Sequence, residues 1–118
     1  MNALATVTVP VIDQYGSVFR LLRAVGLPFS LSRVEELSEL GPDAPLAILG
    51  SYGRPDADTV HVLSERIPTV IYAVQVRATD PVPDTGALGY LTDRMSIHAV
   101  RDALVAALRL AMAGTAPR

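Results

Sequence analysis

Residues 45–74, PLAILGSYGRPDADTVHVLSERIPTVIYAV, decide the fold. Residues 45–49 are a continuous apolar run, which suits a parallel strand covered on both faces better than a strand with one wet side. The run stops at Gly50-Ser51-Tyr52-Gly53, a loop signature. Pro55 then sits where a helix would begin, and Asp56 and Asp58 suit its first turn, where carboxylates oppose the positive end of the helix dipole. Val60, Leu63 and Ile67 keep helical spacing, and residues 69–74 (TVIYAV) form a second buried run. Strand, helix and strand in that order call for a right-handed crossover within a parallel sheet.

The flanks extend the alternation. Residues 5–12 (ATVTVPVI) are rich in β-branched types and read as the first strand, weakened at Pro10, which has no donor for a ladder. Val18, Leu21, Leu22 and Val25 predict a helix over 15–25 with Gly26 as its C-cap. Residues 28–31 read as a short second strand. Ser32 three residues before Glu35 resembles a capping box, predicting a short helix to Leu40 that Gly41-Pro42 stops. Downstream, residues 75–85 hold Pro81 and Pro83 without helical period and read as loop. Residues 89–91 are a short fifth strand, and Ser96 caps a long helix to Ala113, with Ile97, Val100, Leu104 and Ala107 or Leu108 facing inward. The expected architecture is α/β, a three-layer flavodoxin-like fold with parallel strand order 2-1-3-4-5 and a reduced or absent helix between the fourth and fifth strands. Residues 1–113 form one domain, and 114–118 read as a tail or the start of a linker.

Composition narrows the function. The chain has 118 residues, half of them apolar, enough for a single core. A net charge of -2 offers no basic face for a phosphate backbone, so direct nucleic-acid contact is not expected. No apolar run approaches the roughly 18 residues that span a bilayer, and no basic leader precedes an apolar segment, so the chain reads as cytoplasmic and away from membranes. There is no cysteine and there are only two histidines, His61 and His98, so neither a metal site nor a bound cofactor is expected. All ten basic residues are arginine. No glycine-rich nucleotide loop follows a strand and no Gly-x-Ser-x-Gly elbow is present, so the chain does not read as an enzyme.

The segment GALGYLTDRMSIHAVRDALVAAL, residues 86–108, resembles the end of a bacterial response-regulator receiver domain of the LuxR/NarL class. VIDQYGSVFRLL, residues 11–22, is similar to the acidic junction after the first strand of such domains, and IPTVIYAV, residues 67–74, to their fourth strand. The resemblance implies a CheY-like fold, phosphorylated in ordinary members on an aspartate ending the third strand. Two acidic residues ending the first strand hold Mg²⁺ there, a Thr or Ser ends the fourth strand, and a lysine follows the fifth. Mg²⁺ and lysine neutralise charge on the transferred phosphoryl oxygens.

This chain departs from that pattern at nearly every position. Ile12 stands at the first acidic position and Asp13 at the second. The acceptor falls on Ser51, or on Gly50 if the loop has slipped. Val74 replaces the hydroxyl residue and Asp93 the lysine. The loss of lysine is independent of alignment, because the chain contains none.

The expectation is therefore a pseudo-receiver, the regulatory domain of an atypical response regulator acting on transcription by dimerisation or ligand binding. A C-terminal DNA-binding effector would follow in the full-length protein. Alternatives are a stand-alone protein-interaction module, or a switch phosphorylated on Ser51 like serine in anti-anti-sigma domains. A small-molecule pocket is expected around Asp13, Ser51, Tyr52, Arg54 and Arg77, uncharged or anionic in preference. The plainer readings are that Asp13 caps the first helix and that Ser51 forms a turn. A homodimer is expected on the last helix, where Val105, Leu108 and Met112 make a second apolar stripe. Alanines 99, 103, 106 and 113 would let another helix approach closely.

Overall fold

The computed structural model describes residues 3–41, 43–77 and 86–115. After a 3-10 turn (Ala3–Thr6), the order is β1 (Thr8–Ile12), α1 (Ser17–Arg23), β2 (Ser30–Val34), a second 3-10 turn (Leu37–Glu39) and β3 (Ala47–Tyr52). Then follow α2 (Ala57–Arg66), β4 (Thr69–Val74), β5 (Gly89–Thr92) and α3 (Ile97–Thr115). The five strands make one parallel sheet in the order β2-β1-β3-β4-β5, the order expected.

Alternating side chains divide the core between the two faces of the sheet. Val9, Val11, Ile48, Val70 and Tyr72 pack against Val18 and Leu22 of α1 and Val100, Leu104 and Leu108 of α3. On the opposite face, Ile12, Ala47, Leu49, Ile71 and Ala73 meet Val60 and Leu63 of α2. All six residues of β4 are buried, as its uninterrupted apolar sequence requires. Among the described residues no helix is long and apolar enough to cross a membrane.

Tertiary pairing corrects several local readings. Ser32 opens no helix: it lies inside β2, opposite Pro10 in a ladder running from Thr8↔Ser30 to Ile12↔Val34. The capping-box signal yields to this ladder, leaving only the 3-10 turn at Leu37–Glu39, with Leu40 buried beneath α2's side of the sheet. Pro10 is tolerated within β1 because pairing with β3 begins only beyond it, at Val11↔Ile48. Gly50, Ser51 and Tyr52 continue β3, paired with Tyr72, Ala73 and Val74. Ile97 is 58% exposed and leaves the inward face of α3 to Val100, Leu104, Ala107 and Leu108.

Ser96 caps its helix as read, whereas α1 ends earlier than read, with Ala24 and not Gly26 as its C-cap, and Asp56, read as part of the first turn of α2, is its N-cap. The Ala99 amide donates to Ser96 Oγ at 3.1 Å, and Asp56, as N-cap of α2, accepts from the Thr59 amide at 3.2 Å. Between β4 and β5 only residues 75–77 and 86–88 are described, so most of the expected loop and its two prolines lie outside the described residues, as do residues 116–118.

Candidate functional site

The C-terminal ends of β1, β3 and β4 converge where the strand order reverses, the place where open α/β sheets hold ligands. Asp13 follows β1 there and is only 1% exposed. Both of its carboxylate oxygens are occupied. Oδ1 accepts the Tyr52 hydroxyl at 2.7 Å and the Tyr15 amide at 3.3 Å. Oδ2 accepts the Phe19 amide at 2.9 Å. Helix α1 starts from Gly16, which is left-handed (φ 86°) and offers no side-chain cap, so Asp13 supplies an acceptor to the first turn from outside the helix. Burial pushes the Asp13 carboxyl up, but the Tyr52 hydroxyl and the amides of Phe19, Gly16 and Tyr15 outweigh it and hold the group below its ordinary value.

Tyr52 joins three elements at this point. Its hydroxyl donates to Asp13 and accepts the Ser17 amide at 3.2 Å. Its ring meets Tyr15 edge to face, with centroids 4.9 Å apart. Arg33 at the end of β2 secures the other side of the loop: Nε donates to the Asp13 carbonyl at 3.1 Å and Nη2 to the Gln14 carbonyl at 2.8 Å. The β1–α1 loop is thus held from β3 by a tyrosine and from β2 by an arginine.

Gly50 faces α1 at close range. A Cβ on it would stand 3.1 Å from the Ile12 carbonyl oxygen and 3.2 Å from Val18 Cβ. Any side chain there would require its neighbours to shift, so Gly50 cannot stand in for an acceptor carboxylate. Ser51 is half-buried, and its Oγ donates to the Gly53 carbonyl at 2.9 Å, which agrees with the turn-forming reading. Ile12 belongs to the core. Val74 is buried against Tyr52 and the α1 side of the sheet. Asp93 is exposed and accepts a long bond from the Gln75 amide at 3.5 Å, tying the end of β4 to that of β5. Gln75 has a positive φ of 63°, an uncommon conformation for a residue with a side chain.

The divalent cation of the receiver-type reading does not fit these residues. Asp13 has given its oxygens to Tyr52 and to amides, and the neighbouring positions are Ile12, Gly50 and Ser51. Mg²⁺ needs carboxylates free to ligate.

At the pocket expected around Asp13, the Tyr52 hydroxyl reaches the carboxylate directly. Arg54 and Arg77 are exposed. A groove of about 600 Å³ opens elsewhere, near the N-terminal ends of β1 and β3. Leu108, expected on a dimer stripe, is fully buried in the core, while Val105 and Met112 are half-buried against it. Leu110, at 62% exposure, is an apolar side chain that this helix gives to the surface, as is Ile97 at its start. Leu108 is corrected to the core, because it serves the inward face beside Leu104. Sequence reasoning also missed Arg33 and Tyr15, for which the only signal is non-local: pairing of β2 with β1 puts Arg33 beside the loop.

No family model matches the chain, and no curated protein matches it by sequence. Solved structures do. A pilus assembly-related protein from Burkholderia pseudomallei K96243 superposes with a TM-score of 0.66 at 14% identity, covering 92% of this chain and 94% of that one. The signal receiver domain of an HD domain-containing protein from Pseudomonas fluorescens Pf-5 gives a TM-score of 0.65 at 14% identity, covering 92% and 98%. The response regulator StyR gives 0.60 at 23% identity, covering 92% of this chain and 62% of its own. At these identities the likeness is one of fold, the CheY-like receiver fold.

Proposed function

We propose that this chain is a phosphorylation-independent regulatory domain of receiver type, the pseudo-receiver of an atypical response regulator of the LuxR/NarL class. One observation carries the reading. In the position of a phosphorylation site, the remaining acidic residue is buried and bonded through both oxygens, by Tyr52 and by backbone amides of the loop and α1. A chain without lysine also lacks the cation that would meet a phosphoryl group. The site is built to hold one loop conformation, not to accept a charged group. Regulation then runs through association or ligand binding at another surface. A DNA-binding effector after this domain belongs to the same proposal; the response regulator StyR is longer than this chain, which covers 62% of it.

The test is incubation with acetyl phosphate, and separately with beryllofluoride, in the presence of Mg²⁺. The expected result is no gain of mass and no shift in melting temperature. A stoichiometric phosphate on an aspartate would overturn the proposal.

A further inference from the structure

Charge is sorted between the two sides of the sheet. Helices α1 and α3, which share one face, carry Arg20, Arg23, Arg101 and Arg109 against a single carboxylate, Asp102. The opposite side holds Asp58 and Glu65 of α2 and Glu39 of the 3-10 turn, with Arg66 as the arginine of α2. The net charge of -2 therefore conceals a basic face.

On that face a groove of about 500 Å³ runs along α3. Pro28, Val105 and Ala106 give it apolar surface, while His98, Arg101 and Arg109 line it with Asp102 as its one carboxylate. Neither arginine has a local partner on its helix. The positions three and four residues from Arg101 hold Ile97, His98, Leu104 and Val105, and those around Arg109 hold Val105, Ala106, Met112 and Ala113. Neither lies in the last turn of α3, where the helix dipole favours a cation. Both are exposed, and among the described residues they take part in no salt bridge.

Arg101 and Arg109 stand about 12 Å apart along the helix axis, with Val105 midway. Two guanidinium forks flanking an apolar patch call for carboxylates at that interval and an apolar side chain between them. A helix laid along the groove offers both, with carboxylates eight residues apart and a leucine halfway. A phosphate backbone fits less well. It brings no apolar side chain to Pro28 and Val105, and it meets Asp102 among the cations.

We infer that this face is the docking site for an acidic amphipathic helix of a partner protein, with its carboxylates on Arg101 and Arg109 and its apolar side chain on Val105 and Pro28. The docking site rests on the reading that the domain works by association, and gives that reading a surface and a partner chemistry.

The test uses a fluorescein-labelled helical peptide of alanine, leucine and glutamate, with two glutamates eight residues apart and a leucine midway, followed by anisotropy against the intact chain. A scrambled peptide of the same composition and a single-stranded oligothymidylate are the comparisons. The parent should bind the designed peptide at least about fivefold more tightly than the scrambled one, with affinity falling as salt rises. Arg101→Glu with Arg109→Glu should weaken binding at least about tenfold, and Asp102→Asn should strengthen it about twofold or more. Arg66→Glu on α2 should leave it unchanged. All four side chains are exposed, and circular dichroism checks that the fold is kept. Should the double reversal unfold the chain, Asp102→Asn decides, and an affinity that does not rise overturns the surface. Absence of binding, equal binding of the two peptides, indifference to the arginines or tighter binding of the oligothymidylate also overturns it. Each of these leaves the phosphorylation-independent reading standing, which fails instead on a phosphate gained by an aspartate.

Discussion

Replacing Tyr52 by phenylalanine removes one oxygen and nothing else from the centre of the site. The lost hydroxyl donates to Asp13 at 2.7 Å and accepts the Ser17 amide at 3.2 Å. The first bond serves a charged, buried acceptor, a class that contributes about 1.5–3 kcal/mol. The second lies at the exposed start of α1, where water replaces it. Asp13 keeps the amides of Phe19 and Tyr15, so the loss should be about 2 kcal/mol, or roughly 8 °C in melting temperature for a domain of this size. The effect also has a pH signature. The folded Asp13 carboxyl lies below its unfolded value of 3.8, so its stabilisation is complete above that value and is lost as pH falls through the folded one. Without the tyrosine hydroxyl, burial is opposed by the amides alone and the folded value rises. The variant should therefore begin acid unfolding at higher pH, and its deficit against the parent should be largest near neutrality and shrink in acid. Urea unfolding from pH 7 down to pH 3, with the Asp13 carboxyl carbon followed by NMR, measures both. Equal stability at pH 7 with an unchanged acid limb would refute the account of Tyr52 as the residue that holds Asp13 charged.

Gly50→Ala should destabilise by about 1–3 kcal/mol in chemical denaturation, since its Cβ would press on the Ile12 carbonyl and Val18; a neutral result would mean that α1 moves freely against β3. Leu108→Ala should cost about 2–5 kcal/mol, whereas Leu110→Ala, at an exposed position, should stay within about 0.5 kcal/mol. Reversal of that order would return Leu108 to the surface stripe.

The sequence by itself determined the sheet. Strands such as TVIYAV at 69–74 are apolar throughout, which no half-exposed strand can be, and the helical spacing between them leaves only parallel crossovers. It also determined that no lysine is available to any site, a fact of composition that no folding can alter. Local capping chemistry was legible at Ser96, because that bond spans three residues. Wherever a long-range contact competed with a local one, the local reading gave way. Ser32 went to the ladder with β1 because strand pairing satisfies more of the backbone than one short helical turn. Leu108 went to the core because α3 lies on the sheet at an angle that its own periodicity does not specify. Tyr52 and Asp13 are 39 residues apart and Arg33 is 20 from Asp13, so the bonds that close the site exist only once β1, β2 and β3 lie side by side. Which residue types the chain lacks could be read along it. The bonded cluster of Asp13, Tyr52 and Arg33 is a property of the folded sheet, since only the sheet brings those three side chains within bonding distance.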